Sequence, residues 1–139
     1  MGSRGIEVIV SGAPGNNDDG SSGPAPFAVQ VVPWPDADPD QAVVTVAGDV
    51  DMHTEGLLRN ELARLSERPG RRLVLDFSGV EFMASAGVAV LLEVSAQLDA
   101  AGGSLTLACV HPMVARVLSL TAADELVPIR PTIDEALAR

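Results

Sequence analysis

Stretches of alternating or β-branched apolar residues take turns along this chain with stretches in which leucines and valines recur every three or four positions. Phe27-Ala-Val-Gln-Val-Val alternates as a strand does, Pro33 and Pro35 stop it, and Asp36 to Gln41 supply a turn. Ala42 to Ala47 is a second β-branched run, so the two predict an antiparallel hairpin. Thr54 is placed to cap a helix from Glu55 to about Glu67, where Leu58, Leu62 and Leu65 share a face, and Pro69-Gly70 closes it. Arg72 to Phe77 reads as a strand punctuated by Ser78-Gly79. Residues 85–100 read as a helix apolar on most sides (Val88, Leu91, Leu92, Leu98) and stopped by Gly102-Gly103. Ser104 to Val110 is a further strand, and Pro112 opens a third helix in which Met113, Val117 and Leu120 share a face. A short strand from Leu126 to Ile129 and a terminal helix from about Thr132 complete the series.

The resulting order, β-β-α-β-α-β-α-β-α, predicts an α/β fold: a mixed sheet packed with about four helices, parallel after the opening hairpin and joined by right-handed crossovers. A chain of 139 residues suits one domain, and no internal repeat is visible. Residues 11–26 are turn formers and charge with nothing to bury, which marks residues 1–26 as a flexible N-terminal tail and residues 27–139 as the domain. Within the tail, Ile6, Val8, Ile9 and Val10 form a short β-prone patch. It is read here as part of a loose terminus, with a strand added to a sheet edge as the alternative.

Composition narrows the function. Apolar residues make up 47% of the chain, yet only Phe27, Trp34, Phe77 and Phe82 are aromatic, too few for base-stacking platforms. The formal net charge is -10 and all nine basic residues are arginine, with no cluster of positive charge in sequence. Nucleic acid and anionic membrane surfaces are therefore disfavoured, and a basic face on another protein is the natural complement. A single cysteine, Cys109, rules out an intramolecular disulfide; it is expected to be an inert buried thiol in its strand. The N-terminus lacks a signal-peptide pattern and no apolar run approaches a membrane span, so a cytoplasmic protein without membrane insertion is expected.

Candidate chemistry is sparse. Asp49 and Asp51 are spaced like paired carboxylates, but no third ligand or nucleophile accompanies them, and solvated loop acids are the simpler reading. His53 and His111 lack partners at ligand spacing and read as surface or helix-start residues. Gly102-Gly103 has neither the lysine nor the spacing of a phosphate-binding loop. No catalytic residue, metal or cofactor is expected, and the chain reads as a binding protein rather than an enzyme.

Three segments carry a resemblance. Gly48-Asp49-Val50-Asp51-Met52-His53-Thr54 joins a strand to a helix. Leu75 to Gly87, through Asp76-Phe77-Ser78-Gly79-Val80-Glu81-Phe82-Met83-Ala84-Ser85-Ala86, runs from a strand into the apolar helix, and Ala101-Gly102-Gly103-Ser104-Leu105-Thr106-Leu107 starts the next strand. In this order and spacing they resemble the STAS domain of bacterial anti-anti-sigma factors, over residues 27–139. The resemblance implies an anti-sigma factor antagonist that works by partner switching. It would bind an anti-sigma factor, itself an ATP-binding serine kinase, and so free a sigma factor; a serine phosphatase would reverse phosphorylation. The family pattern at the phosphoacceptor is Asp-Ser-Ser/Thr-Gly; here it is Ala84-Ser85-Ala86-Gly87, which matches at Ser85 and Gly87. Ser85 falls on the phosphoacceptor, with Asp51 and Gly87 as neighbours, and Asp49, Met52, His53, Met83, Ala84 and Ala86 as partner-interface candidates.

The residues alone allow a plainer role for Ser85, as an N-cap that bonds free first-turn N–H groups. A phosphate at a helix N-terminus would be favoured by the dipole, while its charge and bulk would repel a docked partner. The alternative within the fold is a regulatory STAS subunit of a membrane transporter. A small enzyme using Asp49 or Asp51 is the alternative of a different class.

Overall fold

In a computed structural model, residues 7–10 and 27–138 are described, and they form a six-stranded sheet in sequential order. The elements run β1 (Glu7–Val10), β2 (Ala28–Val32), β3 (Gln41–Ala47), α1 (Glu55–Leu65), β4 (Arg72–Gly79), α2 (Ser85–Ala100), β5 (Ser104–Ala108), α3 (Pro112–Leu120), β6 (Ile129–Arg130) and α4 (Ile133–Leu137). A 3₁₀ turn at Ala123–Glu125 follows α3. β1, β2 and β3 pair antiparallel, with Glu7 opposite Val31 and Val31 opposite Val44. From β3 onward the strands are parallel, and Val44, Leu75 and Leu107 stand in one row across the sheet.

That row follows from the period-2 geometry of strands. Leu73, Leu75 and Phe77 of β4 share a face with Val44 and Val46 of β3 and with Leu105 and Leu107 of β5. Leu58 and Leu62 of α1, Leu91, Val94 and Leu98 of α2, and Val114 and Leu118 of α3 all pack on this face. The opposite face carries Val43, Val74 and Ala108, covered by Ile133 and Leu137 of α4, with Trp34 alongside. Trp34 Nε1 donates to Asp134 Oδ1 at 2.9 Å and Gln41 Nε2 donates to the Leu137 carbonyl at 3.0 Å, which fixes the five-residue α4 in place. A helix this short has little stability of its own and depends on such contacts.

The expected elements are present, with differences that have physical causes. Glu7–Val10 is an edge strand on β2, so the alternative reading of the N-terminal patch applies to those four residues, and they are not part of a loose tail. Residues 11–26, expected to be flexible, lie outside the described residues. β5 stops at Ala108 because Cys109 takes a left-handed conformation (φ 59°), turning the chain toward α3. Cys109 is therefore half-buried beyond the strand end and not inside it. Burial and then the neighbouring Asp76 carboxylate push its thiol above the ordinary range, which disfavours the reactive thiolate.

In α3 the buried residues are Val114 and Leu118, whereas Met113 and Leu120 are exposed. The expected face of Met113, Val117 and Leu120 is thus turned by about one residue away from the core. The last strand is Ile129–Arg130 and not Leu126–Ile129, since Ala123–Glu125 and Leu126 are used in the turn. α1 ends at Leu65, where Ser66 donates its hydroxyl to the Leu62 carbonyl.

At the end of the sheet where the parallel strands begin, two loops lie against each other. Gly70 N donates to the Ala101 carbonyl and Ser104 N to the Arg71 carbonyl. A Cβ on Gly103 would stand 1.9 Å from the Arg71 carbonyl oxygen, while Gly102 (φ 85°) has open space around it. Gly103→Ala should therefore destabilise the fold by more than about 2 kcal/mol, and Gly102→Ala by about 1–2 kcal/mol of left-handed strain. Equilibrium denaturation of the two variants checks this. Equal effects would mean that the close approach to Arg71 does not matter.

Candidate functional site

The parallel strands β3 and β4 end side by side, and the loops that follow are stitched together. Val50 N donates to the Phe82 carbonyl at 3.0 Å, and Ala84 N donates to the Val50 carbonyl at 2.8 Å. Val50 and Met83 thereby form an isolated parallel bridge beyond the strands. Gly48 N donates to the Gly79 carbonyl, so the joining begins where β3 and β4 leave the sheet. Asp51 stands one residue past this bridge on the first segment and Ser85 two past it on the second, which is how positions 34 apart in sequence come to one place.

The approach is close because position 87 has no side chain. Gly87 is buried, and a Cβ there would sit 2.5 Å from Val50 Cγ1 and 3.1 Å from Met83 Cγ. Val50 and Met83 are themselves buried. The first turn of α2 can lie on the β3–α1 loop only with glycine at this point.

Ser85 is the first residue of α2 and is exposed. It does not cap the helix: the N-cap position is Ala84, in extended conformation, and no side chain bonds the first-turn amides. The capping role open to Ser85 in sequence is thus absent, because the serine lies one residue inside the helix. Val88 N and Gly87 N both reach the Ala84 carbonyl. The amides of the helix start, the positive end of its dipole, therefore have no side-chain acceptor.

Asp51 has a structural duty. Its Oδ1 accepts from His53 N at 2.9 Å and from Thr54 N at 3.2 Å, while Asp51 N donates to Thr54 Oγ1 at 3.0 Å. Thr54 also donates its hydroxyl to the Asp49 carbonyl. Thr54 stands at the N-cap of α1 as its sequence position suggests, but its side chain bonds no first-turn amide of α1 and is used in this turn instead. An acid whose oxygen is held by backbone amides is poorly suited to general acid–base work, and Asp49 is an exposed loop carboxylate. Among the described residues no group of three or more His, Cys, Asp or Glu is placed to hold a metal ion.

The surface around Ser85 is apolar and acidic together. Met52 is 73% exposed and Phe82 51% exposed, both unusually bare for large apolar side chains. Asp49, His53 and Glu81 are exposed beside them, and Ala84 and Ala86 are half-buried. Of the expected interface residues, Met83 is the exception: at 2% exposure it belongs to the core beneath the loop, because the bridge to Val50 turns it inward. Phe82, its neighbour, takes the outward position. Sequence reasoning counted Phe82 only as an aromatic residue; the alternation of Phe82 and Met83 around a bridge is the signal that would have found it.

The STAS domain family model matches residues 35–136. An anti-sigma F factor antagonist of Paenibacillus polymyxa is 27% identical over 88 residues, 63% of this chain and 75% of that one. A Mycobacterium tuberculosis protein named as an anti-anti-sigma factor is 30% identical over 100 residues, 70% of this chain and 67% of that one. The crystal structure of an anti-sigma factor antagonist from Mycobacterium paratuberculosis superposes with a TM-score of 0.64 at 26% identity, covering 96% of this chain and 92% of that one.

The close contact at Gly87 is testable. Alanine is the better helix former by about 1 kcal/mol, yet Gly87→Ala should destabilise the protein because its methyl meets Val50. Combined with Val50→Ala, which removes the opposing methyls, the loss should be smaller than the sum of the two single changes by about 0.5–3 kcal/mol in a double-mutant cycle. Strict additivity would mean that the loop and the helix start are not in contact.

Proposed function

The chain belongs to the STAS domain family, and we propose that it is an anti-sigma factor antagonist which docks through the Ser85 surface and is released by phosphorylation there. The observation that carries this reading is Ser85 itself: exposed, at the first position of a helix, with no capping duty, beside the bare side chains of Phe82 and Met52. A serine that the fold does not use, on a surface that also exposes Met52 and Phe82, is suited to carry a removable charge. The relatives named above support the anti-sigma factor as partner, and they favour it over a transporter. The net charge of -10 and the local acids Asp49 and Glu81 favour a basic face on that partner.

The modifying enzymes are those that the family resemblance implies. An ATP-binding serine kinase, the anti-sigma factor itself, would add the phosphate, and a serine phosphatase would remove it. The helix start would stabilise the phosphate, since its amides have no side-chain acceptor. Asp51, with Oδ1 held by His53 N and Thr54 N, stays as a fixed negative neighbour that opposes the same group. The protein's role is binding without catalysis. Its place is the cytoplasm, where sigma factors meet polymerase. No helix among the described residues is long and apolar enough to cross a membrane.

Binding to the purified anti-sigma factor tests the reading. Ser85→Glu should lower affinity roughly a hundredfold by placing an unpaired charge in the interface. Ser85→Ala should bind normally, resist inactivation by the kinase and ATP, and change stability by less than about 0.5 kcal/mol since no cap is lost. Ser104→Glu, exposed where β5 begins, should match wild type. Phe82→Ala should weaken binding about tenfold or more as a half-exposed aromatic anchor. Equal binding by wild type, Ser85→Glu and Phe82→Ala would place the interface elsewhere.

A further inference from the structure

The nine arginines of this acidic chain are not spread evenly: three of them line one cleft. The cleft lies where the parallel strands begin, at the other end of the sheet from Ser85, between the C-terminal end of α1 and the segment that leaves β2. Its volume is about 880 Å³, within the range of small-molecule sites. Its apolar lining comes from Val31 and Leu65 on the α1 side of the sheet and Trp34 on the α4 side, and Arg64, Arg68 and Arg71 supply the cations.

These cations differ in their partners. Arg64 is ion-paired with the buried Glu61 one turn earlier. The acids at the cleft edge, Asp38 and Asp40, are engaged by Arg72, at 3.2 and 2.9 Å. Neither Arg68 nor Arg71 forms an ion pair among the described residues. Arg71 Nε is shielded from solvent and makes no hydrogen bond, an uncommon state for a buried donor. Burial, and behind it the charge of Arg68, pushes Arg71 below the usual guanidinium range, with Asp40 pulling the other way. Two neighbouring guanidiniums thus face the cleft outside any ion pair among the described residues, one of them with its Nε shielded from water.

We propose that this cleft binds a small anion carried on an apolar body, its phosphate or carboxylate oxygens held by Arg68 and Arg71 and its body against Trp34 and Leu65. Guanidinium groups present donors in the planar arrangement that oxyanions accept, and a donor shielded from water, as Arg71 Nε is, binds them more strongly than a solvated one. The aromatic wall adds selectivity for ligands with a flat or aliphatic portion. This site is separate from the docking surface, so its test does not depend on the partner.

Trp34 is the only tryptophan, so its fluorescence reports on the cleft directly. Phenyl phosphate titrated into the full chain should change that emission saturably and shift the backbone amide resonances of Leu65, Arg68 and Arg71. Inorganic phosphate and benzyl alcohol, each with half of the recognition, should bind at least about tenfold more weakly. Arg71→Gln should reduce phenyl phosphate affinity about tenfold or more, and so should Arg68→Gln, whose exposed position makes it safe for folding. No saturable response, benzyl alcohol binding as well as phenyl phosphate, or unchanged affinity in a folded Arg68→Gln variant would each overturn the proposal.

Discussion

β4 has to be covered on both faces. Leu73, Leu75 and Phe77 point to one side and Val74 to the other, all at 2% exposure or less. A parallel strand in that position cannot be left at a surface, since its connections place helices over the sheet. Here α1, α2 and α3 cover one face and α4 the other. Once β3, β4 and β5 are parallel and in register, their trailing loops are forced to one end of the sheet and their leading loops to the other. Both surfaces with chemical interest follow from that division, the Ser85 patch at the trailing end and the arginine cleft at the leading end.

At the trailing end, two backbone hydrogen bonds and one glycine set the geometry. The bridge of Val50 to Met83 extends the β3–β4 pairing past the strands, and Gly87 lets α2 begin directly on Val50. The outcome is a rigid platform whose polar groups are mostly satisfied from within: Asp51 by the turn into α1, Thr54 by Asp49 and Asp51. What remains free is Ser85 and the apolar pair Met52 and Phe82. A surface of that kind loses little conformational entropy on docking, which suits the proposed release of a partner by one phosphate.

Much of this was legible in the sequence. Element order and type follow from periodicity, and Leu58, Leu62 and Leu65 pack where their spacing places them. The misplacements have local causes. One residue of rotation separates Val114 and Leu118 from Met113 and Leu120, and both sets are apolar at helical spacing, so pattern alone cannot choose between them. Cys109 sits in an apolar run, but its positive φ is set by the turn into α3 and not by its own preference. In the site, Ser85, Asp51 and Gly87 were legible through their resemblance to a known motif. The burial of Met83, the exposure of Phe82 and the absent cap at Ser85 needed the bridge to Val50, a contact between segments more than thirty residues apart. The arginine cleft was not legible, because Arg64, Arg68 and Arg71 read as scattered surface charges until α1 and β4 are packed.

The central claim is that the loops after β3 and β4 and the first turn of α2 together form the docking surface. Amide hydrogen exchange, with and without a saturating anti-sigma factor, tests it most directly. Protection on binding should be confined to residues 49–53 and 81–88, and phosphorylation of Ser85 should abolish it. Protection centred instead on α3, or on the loops at the leading end of the sheet, would contradict the account.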